Sequence, residues 1–431
     1  MYTKSENVYI IISTMPQFDR HYLERINPHW EGLLYDYPIE RDIVSEIKKE
    51  LSHSLIIAIY GLRRVGKTVV MKQIINHLML SGVNPLSILY LTFDDYRGDL
   101  MDAVGIFERI RGKRVGRGDY ILLDEVQKVP RWEEQVKVLY DITGAKIMVS
   151  GSASAPLRRG GETLAGRIVE FVLEPLSFRE YLVFRGMEDL MKSPIDAQVE
   201  REYWRYIRAP FPQVVLEDVN PQEYVRSIYE KTLFRDLPEL FSIEYREKLF
   251  HLFYLIRHSP GFIASYENLS VELGVDRRTI SRYVEALERG YLVRKLHNYS
   301  RNPFTHRRKL KKLYPYVAAF CEGDEALIVE TAVAQHLNAR FFYRDKQKRE
   351  VDFVLPEHSL AVEVKYRPRI RKGELRGLKS FMEKFDFRGM VVSKERMDSI
   401  DDKITAVPYF RLPEVVEEMG IKPYRRIQSV Q

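Results

Sequence analysis

The 431-residue sequence predicts an α/β chain in three parts. A parallel-sheet phosphate-loop (P-loop) domain with an N-terminal extension is expected over residues 1–190, a helical and winged-helix region over 191–312, and a small α/β domain over 313–431. Three observations predict this. The run Gly61-Leu62-Arg63-Arg64-Val65-Gly66-Lys67-Thr68 fits G-x-x-x-x-G-K-[ST] without substitution, between an apolar strand-like run and a helical period. Apolar runs then alternate with helical periods to about residue 190, the signature of a parallel, doubly wound sheet. Further on, a helix-turn-helix pattern precedes two strand-like runs that carry spaced carboxylates and a lysine.

Along the chain, an N-terminal strand-like run (VYIIIS, Val8–Ser13) and an amphipathic helix near Arg41–Leu51 lead into a buried strand, LIIAIY (Leu55–Tyr60). After the glycine-rich run, VVMKQIINHLML (Val69–Leu80) reads as a helix, and LSILYLTFDD (Leu86–Asp95) as a second buried strand. A helix around Leu100–Arg111 and the strand YILLDEVQ (Tyr120–Gln127) follow. AKIMVSGSAS (Ala145–Ser154) is a fourth strand, and RIVEFVLEPLSFREYL (Arg167–Leu182) a strand running into a helix. Residues 190–260 are helical in pattern, with FPQVVLED (Phe211–Asp218) read as a connecting loop because prolines bracket it. Tyr266–Leu296 reads as helix, a Gly274-Val275-Asp276 turn, a second helix and a strand, which is a helix-turn-helix with a wing.

Composition narrows the classes. Hydrophobic content of 45% with 30% charged residues describes a globular chain. No run approaches the ~18 apolar residues of a membrane span, and VYIIIS is too short for a secretory core. One cysteine, Cys321, excludes an intramolecular disulfide and a cysteine zinc site, so a reducing cytoplasm is expected. The net charge of +7 suits a polyanionic partner. Arg294–Lys312 (RKLHNYSRNPFTHRRKLKK) is densely basic without an acid, the pattern of a nucleic-acid footprint; a solvated loop is the bland alternative.

The chemistry starts at the phosphate loop. Its backbone N–H groups at a helix N-terminus suit phosphate, Lys67 would reach the β- and γ-phosphates of ATP, and Thr68 would ligate Mg²⁺. In YILLDEVQ, Asp124 ends the strand as a second Mg²⁺ residue, and Glu125 is the expected general base for water. Ser150 and Ser152 at the next strand end are sensor candidates, or plain turn formers. Arg167 is a candidate arginine finger, acting in its own site or a neighbour's. On the second helix of the helix-turn-helix, Arg277, Arg278, Thr279, Ser281 and Arg282 hold the positions that usually meet bases, and Arg307 and Arg308 extend the basic set.

Near the C-terminus, RDKQKREVDFVL (Arg344–Leu355) and SLAVEVKY (Ser359–Tyr366) read as paired strands joined by a turn around Pro356-Glu357-His358. Asp352 is followed after ten residues by Glu363-Val364-Lys365, and the two-residue period puts Glu363 and Lys365 on one face. With Glu330 from the preceding helix, this set could bind Mg²⁺ and act on a phosphodiester; salt-bridged hairpin residues are the bland alternative.

These residues together resemble a prokaryotic, largely archaeal, family of AAA-like P-loop ATPases with a C-terminal conserved domain of unknown function. The resemblance rests on GLRRVGKT (Gly61–Thr68), LDEVQKVPRWEEQVKVLYD (Leu123–Asp141), SGSAS (Ser150–Ser154), LAGRIVEFVLEPLSFREYL (Leu164–Leu182), EVDFVL (Glu350–Leu355) and AVEVK (Ala361–Lys365). Asp352, Glu363 and Lys365 stand at the places of a PD-(D/E)xK nuclease core, although Asp352 lies in E-V-D rather than P-D. The resemblance implies an ATPase with ATP and Mg²⁺ as cofactors. Two readings follow: hydrolysis coupled to DNA binding or processing, or a signalling switch that binds a protein partner through an inactive nuclease-like domain. A homo-oligomer is compatible with either.

Overall fold

The computed structural model describes residues 19–94, 99–152, 164–302, 310–395, 403–422 and 424–427. The chain divides into two compact units, residues 1–174 with 424–431, and residues 175–423. The strand expected at Val8–Ser13 lies outside the described residues.

In the first unit, helices α1 (Arg20–Ile26) and α2 (Asp42–Glu50) precede strand β1 (Ile56–Tyr60) and helix α3 (Lys67–Leu80). Strand β2 (Ile88–Thr92), α4 (Leu100–Arg111), β3 (Tyr120–Asp124), α5 (Trp132–Thr143), β4 (Lys146–Gly151) and β5 (Ile168–Leu173) follow. The sheet order is β5-β1-β4-β3-β2, all parallel, and the C-terminal strand Tyr424–Ile427 adds antiparallel to β5. Every residue of β1 is buried, as expected of a strand covered on both faces. β4 thus lies between β1 and β3, so the loop after β1 meets the end of β3 across the end of β4. Such a change of strand order opens a crevice at the carboxyl ends.

The second unit begins with α6 (Phe178–Phe184), α7 (Asp196–Arg208), α8 (Pro212–Leu216), α9 (Pro221–Lys231), α10 (Leu237–Phe241) and α11 (Arg246–His258). Next come β6 (Phe262–Ile263), α12 (Tyr266–Leu273), α13 (Arg277–Arg289), β7 (Val293–Asn298) and β8 (Lys311–Pro315). Then α14 (Glu325–His336), β9 (Phe341–Arg344), β10 (Glu350–Leu355), β11 (Leu360–Lys365), α15 (Arg376–Phe385), β12 (Arg388–Ser393), β13 (Ile404–Pro408) and α16 (Leu412–Glu418) complete it.

Several expectations are corrected. The first compact unit closes at Glu174, and α6 buries Phe178, Tyr181 and Leu182 in a core with Tyr203 and Tyr206 of the second. The expected loop at 211–218 contains α8, whose Pro212 occupies a first-turn position where the missing N–H costs nothing. The run read as one strand over 344–355 is two, β9 and β10, with Asp345–Arg349 closing the turn between them. The strand YLVRKL becomes β7, which pairs with β8 and, in parallel, with β9. It therefore belongs to one eight-stranded sheet, β13-β12-β11-β10-β9-β7-β8-β6, that also carries the carboxylate hairpin. No helix among the described residues is long and apolar enough to cross a membrane.

Candidate functional site

The phosphate loop leaves β1 through Gly61 (φ 153°) and enters α3 through Gly66 (φ 102°). A Cβ on Gly61 would stand 2.2 Å from the Leu173 carbonyl oxygen, so only glycine lets the loop run this close to β5. Arg41 braces the same loop from outside. Its buried guanidinium donates to the carbonyls of Val65 at 2.6 Å and Glu174 at 2.9 Å.

Lys67 is buried and donates to the carbonyls of Gly61 and Leu62, each at 3.0 Å. The Thr68 hydroxyl donates to Asp124 Oδ2 at 2.6 Å, and Tyr90 from β2 donates to the same oxygen at 2.9 Å. Ser150 donates to the other oxygen, Oδ1. Burial and the neighbouring Glu125 push the Asp124 carboxyl up, while the three hydroxyls pull it down. A hydroxyl and a carboxylate this close are hard oxygen donors of the kind Mg²⁺ prefers, and a dication would offset the burial of Asp124. Residues Thr68 and Asp124 therefore fit the ion.

Glu125 follows Asp124 in a left-handed conformation (φ 55°), which turns its side chain away from the strand's alternation. Its Oε1 is 3.9 Å from Lys67 Nζ, and its Oε2 accepts from Gln127 Nε2 at 2.5 Å. Gln127 Nε2 also donates to Ser152 Oγ at 3.1 Å. Lys67, Thr68, Asp124, Glu125, Ser150 and Ser152 thus converge at one end of the sheet. Arg41, Tyr90 and Gln127 join them without having been singled out from the sequence. Gln127, two residues after Glu125, offered the only local signal.

Arg167 does not join this group. It precedes Ile168, the partner of Ile56 at the start of β1, and its carbonyl accepts the Ile56 N–H at 2.7 Å. Five strand steps separate it from Val172, the partner of Tyr60 at the end of β1, about 17 Å. Its guanidinium pairs with Asp141 at 3.2 Å. A finger in its own site is excluded by that placement.

In the second unit, Glu330, Asp352, Glu363 and Lys365 come together, but they share the space with Lys312 and Glu350. Lys312, from the basic stretch, is buried against Glu350 Oε1 at 2.5 Å and lies 3.8 Å from Asp352 Oδ1. Asp352 Oδ2 accepts the Val364 N–H at 2.8 Å, Lys365 pairs with Glu363 Oε1, and Tyr314 donates to Glu330 at 2.6 Å. Burial and Asp352 push the Glu330 and Glu363 carboxyls well above the usual carboxylate range. Glu363 Oε2 is buried with no partner. Among the described residues, no group of three or more His, Cys, Asp or Glu is placed to hold a metal ion. Lys312, Lys365 and the Arg344 guanidinium, 3.3 Å from Glu350 Oε2, supply the positive charge in this nest, and its arrangement does not fit a ready divalent site.

The described residues of the basic stretch make internal contacts. Arg294 is buried and donates to the Tyr316 carbonyl, Lys295 pairs with Glu288, Arg301 donates to the Phe385 carbonyl, and Lys311 lies over the Tyr266 ring. Of these four groups Lys295 is paired with an acid, while carbonyls and a ring hold the other three. Arg307 and Arg308 lie outside the described residues. On α13, Arg277 pairs with Glu267 at 2.9 Å, Arg282 donates to the Phe241 carbonyl, and Arg278 and Ser281 are exposed. Thr279 donates its hydroxyl to Asp276, which caps the helix.

Residues 53–182 match the AAA domain family. This AAA domain contains every group gathered around the phosphate loop except Arg41. Residues 200–316 match a domain of unknown function (DUF8612), and residues 325–412 another (DUF4143). An uncharacterized protein of Methanocaldococcus jannaschii is 29% identical over 296 residues, 62% of this chain and 61% of that one. A second from the same organism is 28% identical over 353 residues, 74% and 75% of the two chains. The first match spans only about six-tenths of its relative's length. Among solved structures, AMPPCP-bound DnaA from Aquifex aeolicus is similar over 60% of this chain and 90% of that one, at 16% identity and a TM-score of 0.30. The fold is a parallel-sheet P-loop domain of the AAA type, followed by helical and α/β regions.

Proposed function

We propose that the AAA domain binds ATP with Mg²⁺ and hydrolyses it. The observation that carries this reading is the 2.6 Å hydrogen bond from Thr68 to Asp124, which joins the phosphate loop to the end of β3 with Glu125 alongside. The N–H groups of Gly61–Thr68 hold the phosphates, and Lys67 exchanges its carbonyl partners for phosphate oxygens. Thr68 and Asp124 hold Mg²⁺, which when bound offsets charge on the phosphates. Glu125 takes the proton of the attacking water.

Coupling to nucleic acid is a second reading, favoured by the exposed arginines at the start of α13 rather than by the basic stretch, whose described charges are spent internally. The C-terminal carboxylates then belong to a nuclease-like domain. The rival is a switch on a protein partner. A finger role for Arg167 remains only toward a neighbouring copy, as in a homo-oligomer.

The test measures ATP turnover by the purified protein, with and without Mg²⁺ and double-stranded DNA, while following the DNA for cuts. Mg²⁺-dependent turnover is expected. Absence of both nucleotide binding and turnover would overturn the assignment. Stimulation by DNA supports the nucleic-acid reading, and turnover indifferent to DNA without cuts supports the protein-partner switch.

A further inference from the structure

Gln127 has no role in the reading so far, yet its amide is held between two site residues. One amide nitrogen serves two acceptors, Glu125 Oε2 and Ser152 Oγ. Its Oε1 is buried with no hydrogen-bond partner. A Cβ on residue 151 would stand 2.8 Å from that oxygen, so Gly151 is what admits the amide against β4. Ser150, on the same strand end, accepts the Glu125 N–H at 3.2 Å. β4 therefore holds Glu125 twice, once through its backbone and once through Gln127.

The two carboxylate oxygens of Glu125 are also inequivalent. Oε2 is engaged by Gln127, whereas Oε1 is the one nearest Lys67, at 3.9 Å. Lys67 is the group that meets the terminal phosphates, so Oε1 faces the side from which water would attack. We infer that Gln127 is a positioning residue: its amide grips Glu125 Oε2, tethers it to Ser152, and leaves Oε1 aimed at the attacking water. This rests on the ATPase reading above. In the step it supports, a water proton passes to Glu125 Oε1 and the water oxygen bonds to the γ-phosphorus. The bond from that phosphorus to the bridging oxygen breaks, and its electron pair leaves with ADP. Gln127 exchanges no proton; it restricts which oxygen acts and where.

The inference is tested by Gln127→Met, which keeps the side chain's length and removes the donor. The expected result is a fall in kcat of roughly 10- to 100-fold, with KM and the Kd for a fluorescent ATP analogue within about threefold of the parent. In a Glu125→Gln background the same substitution is expected to change kcat by less than about twofold, since the group it positions is already gone. An equal fall in both backgrounds, a Kd that worsens as much as kcat, or an unchanged or faster kcat would overturn it. Should Gln127→Met fail to fold by circular dichroism, Ser152→Ala removes the other end of the tether. It is expected to lower kcat several-fold, again without effect in the Glu125→Gln background; additivity there would overturn the inference. A parent protein that neither binds nor hydrolyses ATP sinks the ATPase reading itself. A parent that turns over normally beside an equally active Gln127→Met sinks this inference alone.

Discussion

Burial gives single residues most of their leverage at this site. Lys67 is buried, so its ammonium is costly unless fully paired, and phosphate pairs it better than two carbonyls do. Lys67→Ala is therefore expected to abolish binding of a fluorescent ATP analogue. Glu125→Gln is expected to keep that binding and lower turnover by about 100- to 1,000-fold, the usual worth of a positioned base. Parental turnover in the second variant would remove Glu125 as the base. Elsewhere in the first unit, burial lowers His29 to about 4, and its Nε2 meets the Ile88 carbonyl at 3.0 Å. The unfolded chain, at its ordinary value, binds the proton first as pH falls. Stability from this group is thus complete above pH ~6.5 and is lost toward pH ~4, by roughly 3 kcal/mol. Urea unfolding of the parent and of His29→Gln across pH 7 to 4 checks it. The parent should lose more stability than the variant by about that amount, and parallel curves would refute the assignment.

At the scale of elements, backbone placement dominates. The loop between β1 and α3 works because β1 is flanked by β5 on one side and β4 on the other. β5 brings the Leu173 carbonyl so close that Gly61 tolerates no Cβ. Gly61→Ala combines that clash with a φ of 153°, so a loss of at least about 1–3 kcal/mol is expected on unfolding by urea. An unaltered midpoint would mean the loop relaxes freely. β4, on the other side, carries Ser150 and Ser152 to the ends of Asp124 and Glu125.

Across the whole molecule, the chain's last described strand returns to its first unit. Tyr424–Ile427 pairs antiparallel with β5, opposite Glu170–Leu173. Removing residues 424–431 is expected to turn β5 into an open edge, with its amides losing hydrogen-exchange protection and the protein gaining a tendency to associate. Parental protection along β5 in the shortened chain would contradict this. The second unit owes its coherence to one sheet, in which β7 joins the strands following the helix pair to the carboxylate hairpin. Lys312 ties β8 to β10 through Glu350.

The local patterns determined much by themselves. Glycine spacing before Lys67-Thr68, a buried apolar strand before it and a helix after it place a phosphate loop without reference to anything distant. The carboxylate pair Asp124-Glu125 and the hairpin of Asp352 and Glu363 were legible for the same reason, since each lies on one strand or one turn. What lies opposite those residues depends on strand order, which local periodicity does not encode. Only the tertiary structure put β4 between β1 and β3, bringing Ser150, Ser152 and Gln127 to the carboxylates while leaving Arg167 at the far end of β5. It also engaged Lys295 and Lys312 of the basic stretch with acids. Arg294–Lys312 holds no acid, but Glu288 meets Lys295, and Glu350 and Asp352 meet Lys312, from other elements, and a charge's partner in space is a property of the fold.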